Sequence, residues 1–184
     1  MMGTRKLSIV IAAVIAVTVA SAIVARAAGP FKGHADIVGF QEVPTLASPA
    51  SGIIDVEISK DGKSLSYTLS YAGFTSDVRF AHIHLGRPAV NGGIMVFLCT
   101  NEAPPAGISP PPCPVRGGTV SGELTAADVR AIGSPQFFPA NAFDAFVDAL
   151  RAEAGYANVH SINFGGGEIR GQVTFSRADS ISDN

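Results

Sequence analysis

From Ile54 to Tyr71 the chain alternates apolar and polar residues, and the alternation stops only at Lys60-Asp61-Gly62-Lys63. A period of two is the period of a β-strand with one buried face, and Asp-Gly between two such runs is a hairpin turn. Runs of the same kind recur at 31–38, 78–85, 93–98, 119–124, 156–163 and 168–175, with turn residues between them. Together with 52–58 and 64–71 they make about eight short strands. That pattern predicts an all-β fold, an antiparallel Greek-key β-barrel or sandwich.

Two short helices are expected beside the strands. Thr125 is placed to cap residues 126–132, with Asp128 in the first turn where it favours the helix dipole. A second helix is expected over 141–154, where Phe143, Phe146, Val147 and Leu150 recur at helical spacing before a stop at Gly155. That stripe is read as packing on the barrel. Gly165-Gly166-Gly167 lies between two strand-like runs and reads as a hairpin turn, not as an anion cradle at the start of a helix.

The first 27 residues have the layout of an export signal. Arg5 and Lys6 precede an apolar stretch from Leu7 to Val24, and Ala25-Arg26-Ala27 supplies a small-x-small cleavage pattern. Cleavage after Ala27 leaves a single domain over 28–176 and a polar tail over 177–184; the rival reading keeps the segment as a membrane anchor. Either places the domain outside the cytoplasm, periplasmic or secreted. Arg5, Lys6 and Arg26 leave with the leader, so ten basic residues face fifteen acidic ones. Nothing basic is clustered, which argues against a nucleic-acid partner, and no membrane contact is expected after cleavage.

Cys99 and Cys113 are the only cysteines. In an oxidising compartment they are expected to form one disulfide across a Pro-, Gly- and Ala-rich loop, stabilising the fold by about 3 kcal/mol. A cysteine metal site is the alternative, but the residues between them include no histidine.

Nucleophile elbows, phosphate-binding glycine loops and CxxC motifs are missing from the sequence. The visible route to chemistry is histidine. His82 and His84 lie two apart in a strand-like run and therefore share a face, and His160 lies in a second such run. Neutral imidazoles on rigid sheet suit iron, copper or zinc. Read blandly, the same residues are core histidines bonded to backbone. His34, near the start of the domain, reads as a surface residue. Glu168 and Arg170 share a strand face, which suits an ion-pair network tying strand ends together. A functional reading instead makes Glu42 or Glu168 an acceptor that orients a ligating imidazole, and makes Arg170 a catalytic residue that draws a small anion to the metal.

Five blocks carry a family likeness. They are Gly39-Phe40-Gln41-Glu42-Val43-Pro44, Ala81-His82-Ile83-His84-Leu85-Gly86, Asn91-Gly92-Gly93, Tyr156-Ala157-Asn158-Val159-His160-Ser161 and Gly167-Glu168-Ile169-Arg170-Gly171-Gln172. In that order they resemble the signature blocks of the CHRD domain, named for chordin and found as a stand-alone exported protein in bacteria. The resemblance covers roughly residues 31–176 and implies an antiparallel β-barrel or sandwich. The His-x-His strand with a later histidine is also similar to the copper-binding strand of Cu/Zn superoxide dismutases, although no bridging histidine and no zinc set accompany it. Two readings of function follow. One is a mononuclear iron or copper site on His82, His84 and His160 that dismutates superoxide. The other is a non-catalytic extracellular binding module, with a protein partner and histidines that are structural or hold a redox-silent ion.

Overall fold

The structure is a computed structural model and describes residues 31–176. The expected leader and the polar tail from 177 lie outside the described residues. Among the described residues nine strands form, namely β1 (Phe31–Val38), β2 (Ser51–Ile58), β3 (Leu65–Ala72), β4 (Val78–Leu85), β5 (Ile94–Thr100), β6 (Gly118–Leu124), β7 (Gly155–Ser161), β8 (Ile169–Gln172) and β9 (Thr174–Ser176), with one α-helix, α1 (Phe143–Arg151). The strands join one sheet in the order β5-β4-β7-β8-β1-β2-β3-β6, and β9 pairs with β1. Every pairing is antiparallel. The sheet curls into a nearly closed barrel, and β6 returns to lie beside β3 in Greek-key fashion.

Alternation sorts the side chains as the period-two pattern requires. Along β2, Ile54, Val56 and Ile58 are buried, while Ile53, Asp55 and Glu57 face solvent. The same inner face takes Ile37, Leu69, Ala81, Ile83, Val96, Val159 and Ile169 into one core. Phe143, Phe146, Val147 and Leu150 of α1 join that core. Each large side chain buried this way is worth roughly 1.5–3 kcal/mol.

The open seam lies between the edge strands β5 and β6, and the 101–117 loop fastens it. Cys99 on β5 is disulfide-bonded to Cys113 with the Cα atoms 5.0 Å apart. The Thr100 N–H donates to Pro111 O at 2.9 Å. Asn101 donates to Val78 O and Cys113 O and accepts from the Cys113 N–H. The low-complexity loop is therefore a stapled closure of the sheet's edge.

Two expectations fail locally. The helix over 126–132 is a single 3-10 turn, Ala126–Asp128. Asp128 does cap it, accepting from the Thr125 N–H at 2.8 Å. Beyond that turn, however, the Arg130 N–H donates to Met95 O on β5, and the Ile132 N–H donates to Phe138 O. The donors a helix would need are taken by the sheet edge and a local bridge. The last strand also divides at Val173, because β8 pairs chiefly with β7 while β9 pairs with β1 at Lys32–His34.

Candidate metal centre

Cross-strand register decides which side chains meet. Phe80, His82 and His84 of β4 lie opposite His160, Asn158 and Tyr156 of β7, and Asn158 and Tyr156 lie opposite Arg170 and Gln172 of β8. Directly paired residues share a face, so these eight side chains project together. Their chain neighbours Ala81, Ile83, Ala157, Val159 and Ile169 all face the hydrophobic core. The histidines therefore stand on the outer wall of the barrel. Chain segments around residues 39–46, 86–93 and 162–167 cover that wall, and His82, His84 and His160 are only 2%, 8% and 6% exposed.

One ligand atom from each of the three rings lies within 4.8 Å of the other two. The hydrogen bonds define which atoms these are. His84 Nδ1 is 2.9 Å from Gly92 O, and His160 Nδ1 is 3.1 Å from Gly165 O. A carbonyl only accepts, so each Nδ1 carries the proton and each Nε2 presents a lone pair. Both Nε2 atoms are buried without a partner, as are both ring nitrogens of His82. Phe80 stacks on His82 at 4.8 Å and Phe97 meets it edge-on at 4.2 Å, so its surroundings are apolar.

Leaving a buried polar atom unpaired costs about 1–3 kcal/mol, and a native protein seldom leaves ring nitrogens of three neighbouring side chains unpaired. Burial pushes the His82 imidazole down to about 2, with His160 and His84 adding to the effect. Burial likewise takes His84 and His160 to about 4, opposed in part by their bonds to Gly92 and Gly165. All three are neutral at physiological pH, which is the form that binds a metal. Metal–nitrogen bonds of about 2.0–2.1 Å place ligand nitrogens about 3.3–3.6 Å apart. Starting from separations of up to 4.8 Å, the rings would have to draw together by up to roughly 1.2–1.5 Å, a distance that small rotations of two side chains can share. The donor set fits a metal ion.

The expected carboxylate acceptors are not the groups that orient the imidazoles; Gly92 O and Gly165 O are. Glu42 instead accepts from Asn158 Nδ2 at 2.5 Å, and burial raises its carboxyl above the ordinary value. Glu168, fully buried, accepts from the Ser48 hydroxyl at 2.7 Å and from the Ser161 hydroxyl. No salt bridge joins Glu168 to Arg170 among the described residues, so the strand-end ion-pair network is not formed either.

Arg170 is not beside an open coordination position. It is 2% exposed, and its guanidinium donates to Asn91 Oδ1, Arg87 O and Val90 O at 2.8–3.1 Å. Its Cζ lies 3.4 Å from the Tyr156 ring centre, and the same ring stacks on His84 at 4.8 Å with an interplanar angle of 4°. Tyr156, from the strand between them, separates the guanidinium from His84. His34 is exposed and bonded to Asp55 at 2.8 Å, away from the cluster.

Tyr156 is the site residue the sequence reading missed. Its signal was parity, since residues 156, 158 and 160 of one strand must face the same way.

Against known proteins, the family description that matches is the CHRD domain, over residues 34–173. No curated protein matches the chain.

Proposed function

The chain belongs to the CHRD domain family, and from that premise we propose that it is an exported domain that binds one transition-metal ion through His82, His84 and His160. The reading rests on one observation, the three buried imidazoles that converge with unpaired ring nitrogens. His84 and His160 would bind through Nε2, because their Nδ1 atoms are committed to backbone carbonyls. The bond between Cys99 and Cys113 accords with an oxidising compartment outside the cytoplasm.

Three neutral nitrogen ligands leave a fourth position for a small molecule, the arrangement of catalytic rather than structural sites. With copper or iron bound, the ion would supply one-electron transfer, the chemistry that converts two superoxide anions and two protons to dioxygen and hydrogen peroxide. Within that chemistry, the protein's residues hold the imidazoles neutral, set their tautomers and exclude bulk water. In this reading Arg170 acts on the covering chain rather than on the anion, since three of its five N–H groups bond the 87–91 segment and the Tyr156 ring stands between its guanidinium and His84. The near-complete burial of all three rings favours a second reading, a redox-silent ion that fastens β4 to β7.

The test is to purify the domain, remove metal, and titrate it with copper, iron or zinc while measuring bound metal and superoxide dismutation. One equivalent bound by the native domain, and none by His82→Ala or His160→Ala, is expected. Unchanged stoichiometry in both variants would remove the site. Stoichiometric metal without dismutation would leave the structural ion as the function.

A further inference from the structure

Arg170 is the largest fully buried side chain of the described residues, and no carboxylate lies within salt-bridge distance of it among them. Desolvating a guanidinium without a paired anion costs several kcal/mol unless its donors are satisfied. Here three of the five are taken by one short stretch of chain, through Arg87 O, Val90 O and Asn91 Oδ1. That stretch leads directly into Gly92. The Gly92 peptide does two things at once. Its N–H donates to the Tyr156 hydroxyl at 3.1 Å, and its carbonyl accepts from His84 Nδ1 at 2.9 Å. The Tyr156 ring, in turn, lies against the guanidinium and against His84.

These contacts form a closed circuit. Arg170 holds the 87–91 segment, the segment places Gly92, Gly92 bonds both Tyr156 and His84, and Tyr156 returns to Arg170. A lysine cannot replace the planar fork, because it offers a point charge where three separated acceptors and a flat ring must be met together. We propose that Arg170 is the positioning residue of the metal centre. Acting through Gly92 and Tyr156, it holds His84 in the Nδ1–H tautomer and so aims the Nε2 lone pair at the other two imidazoles. The proposal rests on the three-histidine reading for its metal, but the tautomer it sets belongs to the metal-free protein.

The experiment compares the native domain with Arg170→Lys, Arg170→Met and Asn91→Ala. Long-range 1H–15N correlation of the metal-free proteins reports the tautomers of His84 and His160, and chelator competition with zinc reports affinity. Zinc is chosen because it has no redox step. Loss of an outer partner to a metal-bound histidine typically lowers affinity 10–100-fold, and that loss is expected for both Arg170 variants. Their His84 should show mixed tautomers, while His160, held by Gly165, stays Nδ1–H. Asn91 is exposed, so Asn91→Ala is expected to fold even where the Arg170 variants do not. It should weaken zinc several-fold and perturb His84 alone.

An unchanged His84 tautomer in the folded variants, or zinc affinity within twofold of the native domain, overturns the proposal. If the native domain binds no metal, the metal reading fails by itself, and the tautomers of the metal-free proteins still decide the role of Arg170.

Discussion

Acidifying the metal-free domain should unfold it over a narrow range, and three imidazoles set the size of the effect. In the unfolded chain each titrates near 6.5, whereas in the folded protein His82 is held near 2 and His84 and His160 near 4. Between those limits the unfolded state binds protons that the folded state refuses, so stability falls as pH falls. From pH 7.5 to pH 5 each ring accounts for about 2 kcal/mol, and the three together for about 6 kcal/mol. A domain of this size is stable by roughly 5–15 kcal/mol, so the loss is a large share of the whole. Two groups act in the opposite direction. Glu42 has a raised carboxyl, which favours the folded form as it protonates, and exposed His34 is raised by Asp55 and contributes little.

The assay is denaturant unfolding, with chelator present and the disulfide intact, at intervals from pH 7.5 to pH 5. The expected slope near pH 5 approaches three protons, about 4 kcal/mol per pH unit. His160→Phe should lower the slope by about one proton. A total loss below about 1 kcal/mol between pH 7.5 and pH 5 would refute the reasoning, because it would mean that the rings are hydrated in the folded protein and not held ready for a metal.

Two further outcomes follow from local geometry. Replacing both Cys99 and Cys113 with serine should cost about 3 kcal/mol in denaturant unfolding and speed hydrogen exchange in the 101–117 loop, with little change at the histidines. Gly92→Ala should abolish metal binding and lower the melting temperature, because a Cβ at that position would sit 1.6 Å from Leu85 O; a normal metal titration of that variant would show that the Gly92 peptide is not needed at the site.

The strands were legible because most of them bury one face. Phe31–Val38 and Val78–Leu85 fall where the alternation and flanking turn residues put them, and the remaining boundaries shift by one or two residues. Helix α1 was visible from Phe143, Phe146, Val147 and Leu150, whose stripe has a single core to meet. The turn after Thr125 was misjudged because capping signals describe how a helix begins. They say nothing of a neighbouring strand that captures its next donors, as Met95 O does.

For the histidines, strand parity put His82 and His84 on one face. It could not tell which face was inside, nor that register would set His160 opposite Phe80. Arg170 shows the same limit. Its charge and position were readable, but the carbonyls of Arg87 and Val90 that consume its donors carry no side-chain signature.

The placement of the imidazoles on the outside of the wall separates two tasks that many small proteins must combine. Hydrophobic packing fills the lumen of the barrel, while the polar cluster depends on three covering segments and one arginine. Substitutions in those coverings can therefore alter the histidine cluster and leave the scaffold able to assemble. An ion held there would touch none of the side chains that fill the lumen.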